Sequence, residues 1–303
     1  MTWWCSATGE LWTWTWRAYP GVWLLVGLML AWYWSAVRGP NSDSRSAGPR
    51  SSPLGSASRD PGRGSPSGPV RRPSIWFFAG TLCIWAALDW PIGALGAGYL
   101  ISVHTVSYIL LALVAPPCLI LGIPHSVQLN ALRSRLGPIL RLAARPWFSL
   151  TLFNVILFLT HIPPVIDTLM ASQVGAFLVD LGWLTAGMAL WWPVMAPPEL
   201  ISIRRPMKMA YLFASTLPPI IPSAFLTFAE YPLYATYELA PRVYPILTAQ
   251  QDQQVAGLLM KLVGDLPVWF AFGVIFFRWA RDSTTTPPPS HPDSLRVAVN
   301  SER

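Results

Sequence analysis

Charge is what this 303-residue sequence has least of: only 12% of it is Asp, Glu, Lys or Arg, against about 25% in a soluble domain. A water-facing surface cannot be built from so few ions, so a soluble globule is excluded. Cysteine is nearly absent as well. Cys5, Cys83 and Cys118 stand singly, with no CxxC pair, and no disulfide framework is implied. Two of the three lie in apolar runs, where a small buried side chain is the plain reading. GxSxG, HExxH and a phosphate-binding glycine loop are also missing. Without a nucleophile elbow, a zinc helix or an anion cradle, no enzyme is expected.

What the sequence does have is apolar length and tryptophan. It is 53% hydrophobic and carries 17 tryptophans, a residue favoured at the membrane–water interface because its apolar ring has one polar edge. A helix needs about 20 mostly apolar residues to cross a bilayer. Seven segments qualify, at roughly Tyr19–Val37, Ile75–Leu95, Tyr99–Ile123, Pro146–Pro163, Ala176–Ala196, Met207–Phe228 and Val255–Trp279. An all-α bundle of seven transmembrane helices in a lipid bilayer is therefore predicted. Its proline pairs and the Trp191–Trp192 pair mark helix ends, kinks and interface anchors. No internal repeat is visible.

Orientation follows from the basic residues, which concentrate in cytoplasmic loops. All but three of the 21 lysines and arginines (the exceptions are Arg17, Arg242 and Lys261) fall in four segments. These are the linker after the first span, the connections after the third and fifth, and the tail. Seven spans put all four on one side. The N terminus is expected outside and the C terminus in the cytoplasm. The net charge of +7 is then a topology signal, and no nucleic-acid partner is implied. Residues 1–37 form a Trp-rich interfacial segment and the first helix, and 75–280 a six-helix membrane domain. The Ser/Gly/Pro/Arg linker 38–74 and the tail 281–303, with His291, are too polar to bury a core and are expected to be disordered. A cleaved signal peptide fits the first span poorly, since no basic region precedes it.

Depth can then be assigned. In "SVHTVSYILLALVAPPCLILG" the third span runs inward from His104, and in "SLTLFNVILFLTHIPP" the fourth runs outward to His161. Both imidazoles reach the outer boundary. Asp89, Asp180 and the polar run "QQDQQVAGLLMKLVGD", with Asp252, share that layer. Ionisable groups inside spans are expensive and tend to mark functional interiors. The plainer reading of a histidine at a helix end is a headgroup or carbonyl partner, and of Asp89 a turn-forming residue. An uncompensated Asp180 would be costly, so a partner or ligand role is expected. Met260 is ordinarily packing, yet a thioether near imidazoles is a soft donor suited to copper(I). Lys261 and Asp265 are four apart on one helix face and form an expected in-membrane ion pair, whose plain role is mutual neutralisation.

The ordered segments "SVHTVSYILLALVAPPCLILG", "RPWFSLTLFNVILFLTHIPP", "AGMALWWPVMAPP", "TLPPIIPSAFLTFAEYPLY" and "AQQDQQVAGLLMK" resemble the CtaG-type cytochrome c oxidase assembly proteins of bacteria. The first is similar to that family's span opening SAHMxQHxLL, the second to its HxPP ending and the last to its DQQxAGxxM signature. The resemblance implies a multi-pass protein of the bacterial plasma membrane that helps mature a haem–copper oxidase on its copper side, with cytochrome c oxidase subunits as partners. This chain departs from the pattern at Thr105, Ser107 and Tyr108, where Met, Gln and a second His are usual. It departs again at Ala176 and Asp180, which take the places of a histidine pair. The metal ligands this leaves are His104 and His161, with Asp180, Asp252 or Met260. Three rival functions stay open on sequence: a b-type haem protein with His104 and His161 as axial ligands, a small-solute or ion transporter using Lys261 and Asp265, and a purely structural scaffold whose metal site has eroded.

Overall fold

The computed structural model describes residues 2–38, 72–200 and 203–285. The expectation of disorder for the linker and the tail, and His291 with it, lies outside the described residues but for the linker's ends and the first turn of the tail. Every regular element among the described residues is helical, and none is a strand. In hydrocarbon a helix satisfies its own backbone, and apolar side chains all round it then cost nothing.

The described chain begins with a segment without regular secondary structure, which folds back so that Gly21 N donates to Trp3 O at 3.0 Å as it enters helix α1, Pro20–Arg38. α2, Arg72–Leu88, is followed by α3, Ile92–Gly98, at an angle of 46°. The sequence predicts one straight span there; Pro91 breaks it, because the residue before a proline is pushed out of the helical region. α4 is continuous over Ile101–Gly122 and contains a π turn at Ile109–Val114. The turn sits directly before Pro116 and Pro117, which cannot donate to the carbonyls one turn back, and it re-spaces the ladder at that point.

Two short helices follow, α5 (His125–Arg133) and α6 (Gly137–Ala143). α7, Pro146–Leu159, stands at 85° to α6 and is long and apolar enough for a candidate span only together with it. Its 14 residues reach only about 21 Å, short of a hydrocarbon core of about 30 Å. The helix was expected to continue to Pro163. It stops at Leu159, and Ile162 is extended (φ −78°, ψ 116°), as its place before Pro163 dictates. α8 (Pro163–Met170) and α9 (Gln173–Met195) come next. α10 (Arg205–Ser215) and α11 (Ile220–Phe228) form one broken crossing. A single-turn helix α12, Ala235–Glu238, precedes α13, Ala249–Leu258. α13 runs through a second π turn, Leu259–Val263, into α14, Leu266–Thr285.

By length and composition five helices can cross a membrane, and the two bent pairs raise the number to as many as seven. The protein is an all-helical, multi-pass membrane protein. α4 is its axis. α2 packs along its second half, and α9 crosses it so closely that a Cβ at Gly187 would stand 2.2 Å from the Ala112 carbonyl oxygen. Such small-residue contacts are how helices gain van der Waals packing where water supplies no driving force. The outer surface is apolar: Leu24, Phe225, Phe228, Leu262, Phe270 and Phe277 are exposed, as a lipid-facing surface requires.

Candidate metal centre

The site is assembled around the first turn of α4. Four backbone amides at a helix N-terminus lack partners within the helix. Here Asp252, from the first turn of α13, accepts from Ile101 N at 2.6 Å and Ser102 N at 3.4 Å, and also from the Ser102 hydroxyl. The Thr248–Gln251 capping box fixes α13 in turn. This cap sets α4 in place and leaves His104 one turn inside the helix. Gly96 on α3 makes room for it, since a Cβ at that position would stand 3.0 Å from His104 N and Cα.

The His104 ring packs edge-on against Trp183 of α9, with centroids 4.8 Å apart, and lies 5.7 Å from the Tyr237 ring. Tyr237 is anchored by its hydroxyl, which donates to Gly96 O at 2.8 Å. His161 follows the C-terminus of α7. Its Nδ1 lies 2.7 Å from Leu157 O; a carbonyl can only accept, so Nδ1 carries the hydrogen and Nε2 keeps its lone pair. Tyr234 donates to His161 O at 3.1 Å, and Trp183 Nε1 to Thr160 Oγ1 at 3.1 Å. His104 and His161 both line one cavity of about 20 Å³, together with Tyr108, Trp183, Tyr234 and Tyr237. His104 Nε2 is buried without a hydrogen-bond partner.

The other predicted ligands stand elsewhere. Asp252 is occupied in capping α4. Met260 is buried in the π turn after α13 and is not among the residues lining the cavity. Asp180 accepts from Trp4 Nε1 at 2.8 Å and faces a different, smaller cavity, which His104 also lines. Asp89 accepts from Trp23 Nε1 at 3.0 Å. Among the described residues no three His, Cys, Asp or Glu side chains gather closely enough to hold an ion. The cavity therefore offers two imidazoles and no carboxylate. Lys261 Nζ lies 2.6 Å from Asp265 Oδ2 and donates to Thr216 O at 3.0 Å. That carbonyl is one of those freed where α10 breaks, so the lysine both neutralises a carboxylate and satisfies a helix end.

At the opposite end of α4, His125 Nε2 lies 3.1 Å from Glu199 Oε2, both exposed. The Glu199 carboxyl is held below the usual carboxylate range by its own backbone amide and by His125.

Sequence reasoning missed the aromatic wall of the cavity. Tyr234 and Tyr237 are three apart on either side of the start of α12, a spacing that places both on one face, but nothing in the sequence says that this face meets α4. It also missed Trp4, read only as an interfacial residue and found 2% exposed.

A family model for the cytochrome c oxidase caa3 assembly factor, Caa3_CtaG, matches residues 56–282. No curated protein and no solved structure matches the chain. The matched stretch runs from before α2 into α14 and contains every residue named as lining the histidine cavity. It spans well over half of the sequence, and the chain belongs to the cytochrome c oxidase caa3 assembly factor family.

Proposed function

We propose that this assembly factor takes up Cu(I) between His104 and His161, at the outer face of the bacterial plasma membrane, and passes it to a cytochrome c oxidase subunit during maturation. The observation that carries this reading is the pair of imidazoles lining one small cavity, His104 with its Nε2 buried and unpartnered and His161 with its Nδ1 hydrogen on a carbonyl, which leaves its Nε2 lone pair free. A ligating histidine ordinarily donates its other ring N–H to a carbonyl or carboxylate, which fixes the tautomer and raises the basicity of the ligating nitrogen. The bond from His161 Nδ1 to Leu157 O is of that kind. Imidazole suits copper, and a donor set without carboxylates disfavours the hard cations that prefer oxygen. A two-ligand site is weak enough to release its cargo. The outer location rests on the distribution of lysine and arginine along the chain.

Size separates the readings. A cavity of about 20 Å³ holds one water or one ion and has no room for a haem macrocycle between the two histidines. The Lys261–Asp265 pair is closed on itself and on Thr216 O, which favours neutralisation over a transport role.

The test is Cu(I) affinity and oxidase maturation for His104→Ala, His161→Ala and His125→Ala at matched protein abundance. His104→Ala and His161→Ala should each weaken Cu(I) binding severely and lower oxidase activity, while His125→Ala changes neither. Full copper binding and full maturation in both cavity variants would sink the copper reading and leave a scaffold.

A further inference from the structure

Beside the histidine cavity lies a second one of about 10 Å³, close to the least volume that one water-sized species needs. His104 is the wall between the two, since it lines both. One wall of the second cavity, Cys5, comes from a stretch that the family match does not reach, the irregular segment before α1. Trp3 N and Trp4 N donate to Gln173 Oε1 at 2.7 and 3.3 Å, and Ala7 N to Met170 O at 3.0 Å. Tyr99 Oη donates to Glu10 O at 2.8 Å. With Trp4 Nε1 on Asp180, these bonds tie the segment across the end of the bundle at five points.

What the segment brings with it is a thiol. Cys5 is 5% exposed, and its Sγ donates to Leu88 O at 3.2 Å. Gly93 makes room for it, because a Cβ there would stand 3.1 Å from Cys5 Sγ. Cys5, Met170, His104 and Asp180 all line the small cavity, and the Asp180 carboxylate is already engaged by Trp4. A buried cysteine by itself would be packing. Here it shares an ion-sized space with a thioether and with an imidazole whose Nε2 is buried and unpartnered.

We infer that Cys5, Met170 and His104 form a second Cu(I) position, stacked against the histidine cavity and walled on one side by the leading segment. It rests on the copper reading above and extends it. Thiolate, thioether and imidazole are the soft donors that select Cu(I). Structural zinc wants four nitrogen, sulfur or carboxylate ligands, and among the described residues no three His, Cys, Asp or Glu side chains gather closely enough to hold an ion, which disfavours it. Coordination replaces the S–H bond of Cys5 by an S–Cu(I) bond and releases one proton; no electron is transferred. His104 has a single free ring lone pair, so it serves one position at a time, and one ion is held in either cavity rather than one in each.

The experiment is X-ray absorption at the copper edge on the purified full-length protein loaded with Cu(I), which reports the ligand atoms without reference to oxidase activity. The wild type should show a mixed sulfur and nitrogen shell. Cys5→Ser should remove sulfur and weaken Cu(I) binding by about tenfold or more, Met170→Leu should lower the sulfur contribution, and His161→Ala should retain it. A nitrogen-only shell in the wild type overturns the second position and leaves the histidine pair standing. So does a sulfur shell unchanged by Cys5→Ser, or one abolished by His161→Ala. No bound copper in the wild type overturns both proposals. The wild-type spectrum decides even if a variant fails to fold.

Discussion

The two ends of the bundle meet the same requirement in opposite ways. α4 and α9 both point their N-termini toward the histidine end and their C-termini toward the arginine end. Amide ends need acceptors and carbonyl ends need donors, and the helix dipole favours anions at the first and cations at the second. At the histidine end, Asp252 caps α4 and the Ser172 hydroxyl accepts from Gly175 N at 3.0 Å on α9. At the arginine end, Gln128 Nε2 donates to Ile120 O and Ile123 O at 2.9 and 3.0 Å, and Lys208 Nζ to Val194 O at 2.6 Å. The difference lies in reach. Asp252 and Ile101 are 151 positions apart, whereas Lys208 and Val194 are 14 apart and Gln128 lies within 8 of its acceptors. The histidine end is held by tertiary contacts that fix several helices against one another, and such rigidity is what a ligand site needs. At the arginine end these carbonyl caps are nearer in sequence, and the ion pairs that reach further, His125–Glu199 and Arg205–Asp282, join exposed side chains.

If that contrast is right, substitutions at the histidine end should cost more. Asp252→Ala strips the first turn of α4 of a buried cap, leaving Ile101 N–H without a partner. The expected loss is about 3 kcal/mol, from a cap of about 0.5–2 and an unsatisfied buried donor of about 1–3 kcal/mol. It would be read as thermal stability in detergent, with Asp252→Asn recovering part of it. Equal melting of Asp252→Ala and wild type would break the comparison outright.

Between the two ends stands Lys261–Asp265. Asp265→Ala should destabilise by about 2 kcal/mol, below the range of about 3–5 kcal/mol for fully buried pairs because the lysine side chain is 33% exposed. The double change Lys261→Leu with Asp265→Ala should restore part of the abundance, although Thr216 O then loses its donor. Equal abundance of single and double variants would show that each charge is solvated independently.

At the arginine end Lys208→Met removes one carbonyl cap and should cost about 1 kcal/mol. Arg205→Ala is the smallest case. It breaks an ion pair with Asp282 and a bond to Arg278 O at 3.3 Å, but both partners of the pair are about half exposed. A loss of about 0–1 kcal/mol is expected, and a melting shift as large as that of Asp252→Ala would reverse the ranking of the ends. Topology sharpens the same comparison without an energy. Cysteines introduced at Gly55 and Glu238 should label from the cytoplasm and from outside respectively, and the opposite pattern would turn the site to the other face.

How far the sequence reached follows from the range of each interaction. Helical class, membrane residence and family were legible because they rest on runs of neighbouring residues: apolar length, proline and glycine placement, and ordered motifs such as "AQQDQQVAGLLMK". The positions of His104 and His161 near helix ends were legible for the same reason, since depth is counted along one span. The bend after α2 could have been read from Pro91, and the early stop of α7 from Pro163.

No such local signal existed for the contents of the site. Asp252 looked like a ligand and is a cap, because its partners lie at Ile101 and Ser102. Asp180 looked uncompensated and is met by Trp4 from the far end of the chain. Met260 looked close to the histidines in depth and lies off the cavity they line, because depth fixes a level in the bilayer but not an azimuth around the helix. Azimuth is set by packing: by Gly187 letting α9 approach α4, by Gly96 seating His104, and by Trp183 and Tyr237 closing around its ring. The sequence determined by itself which segments are apolar enough to enter a membrane and where along each segment the polar groups fall, since both are read from adjacent residues. Which of those groups face one another was decided only by the tertiary structure, where contacts across more than a hundred residues choose the partners.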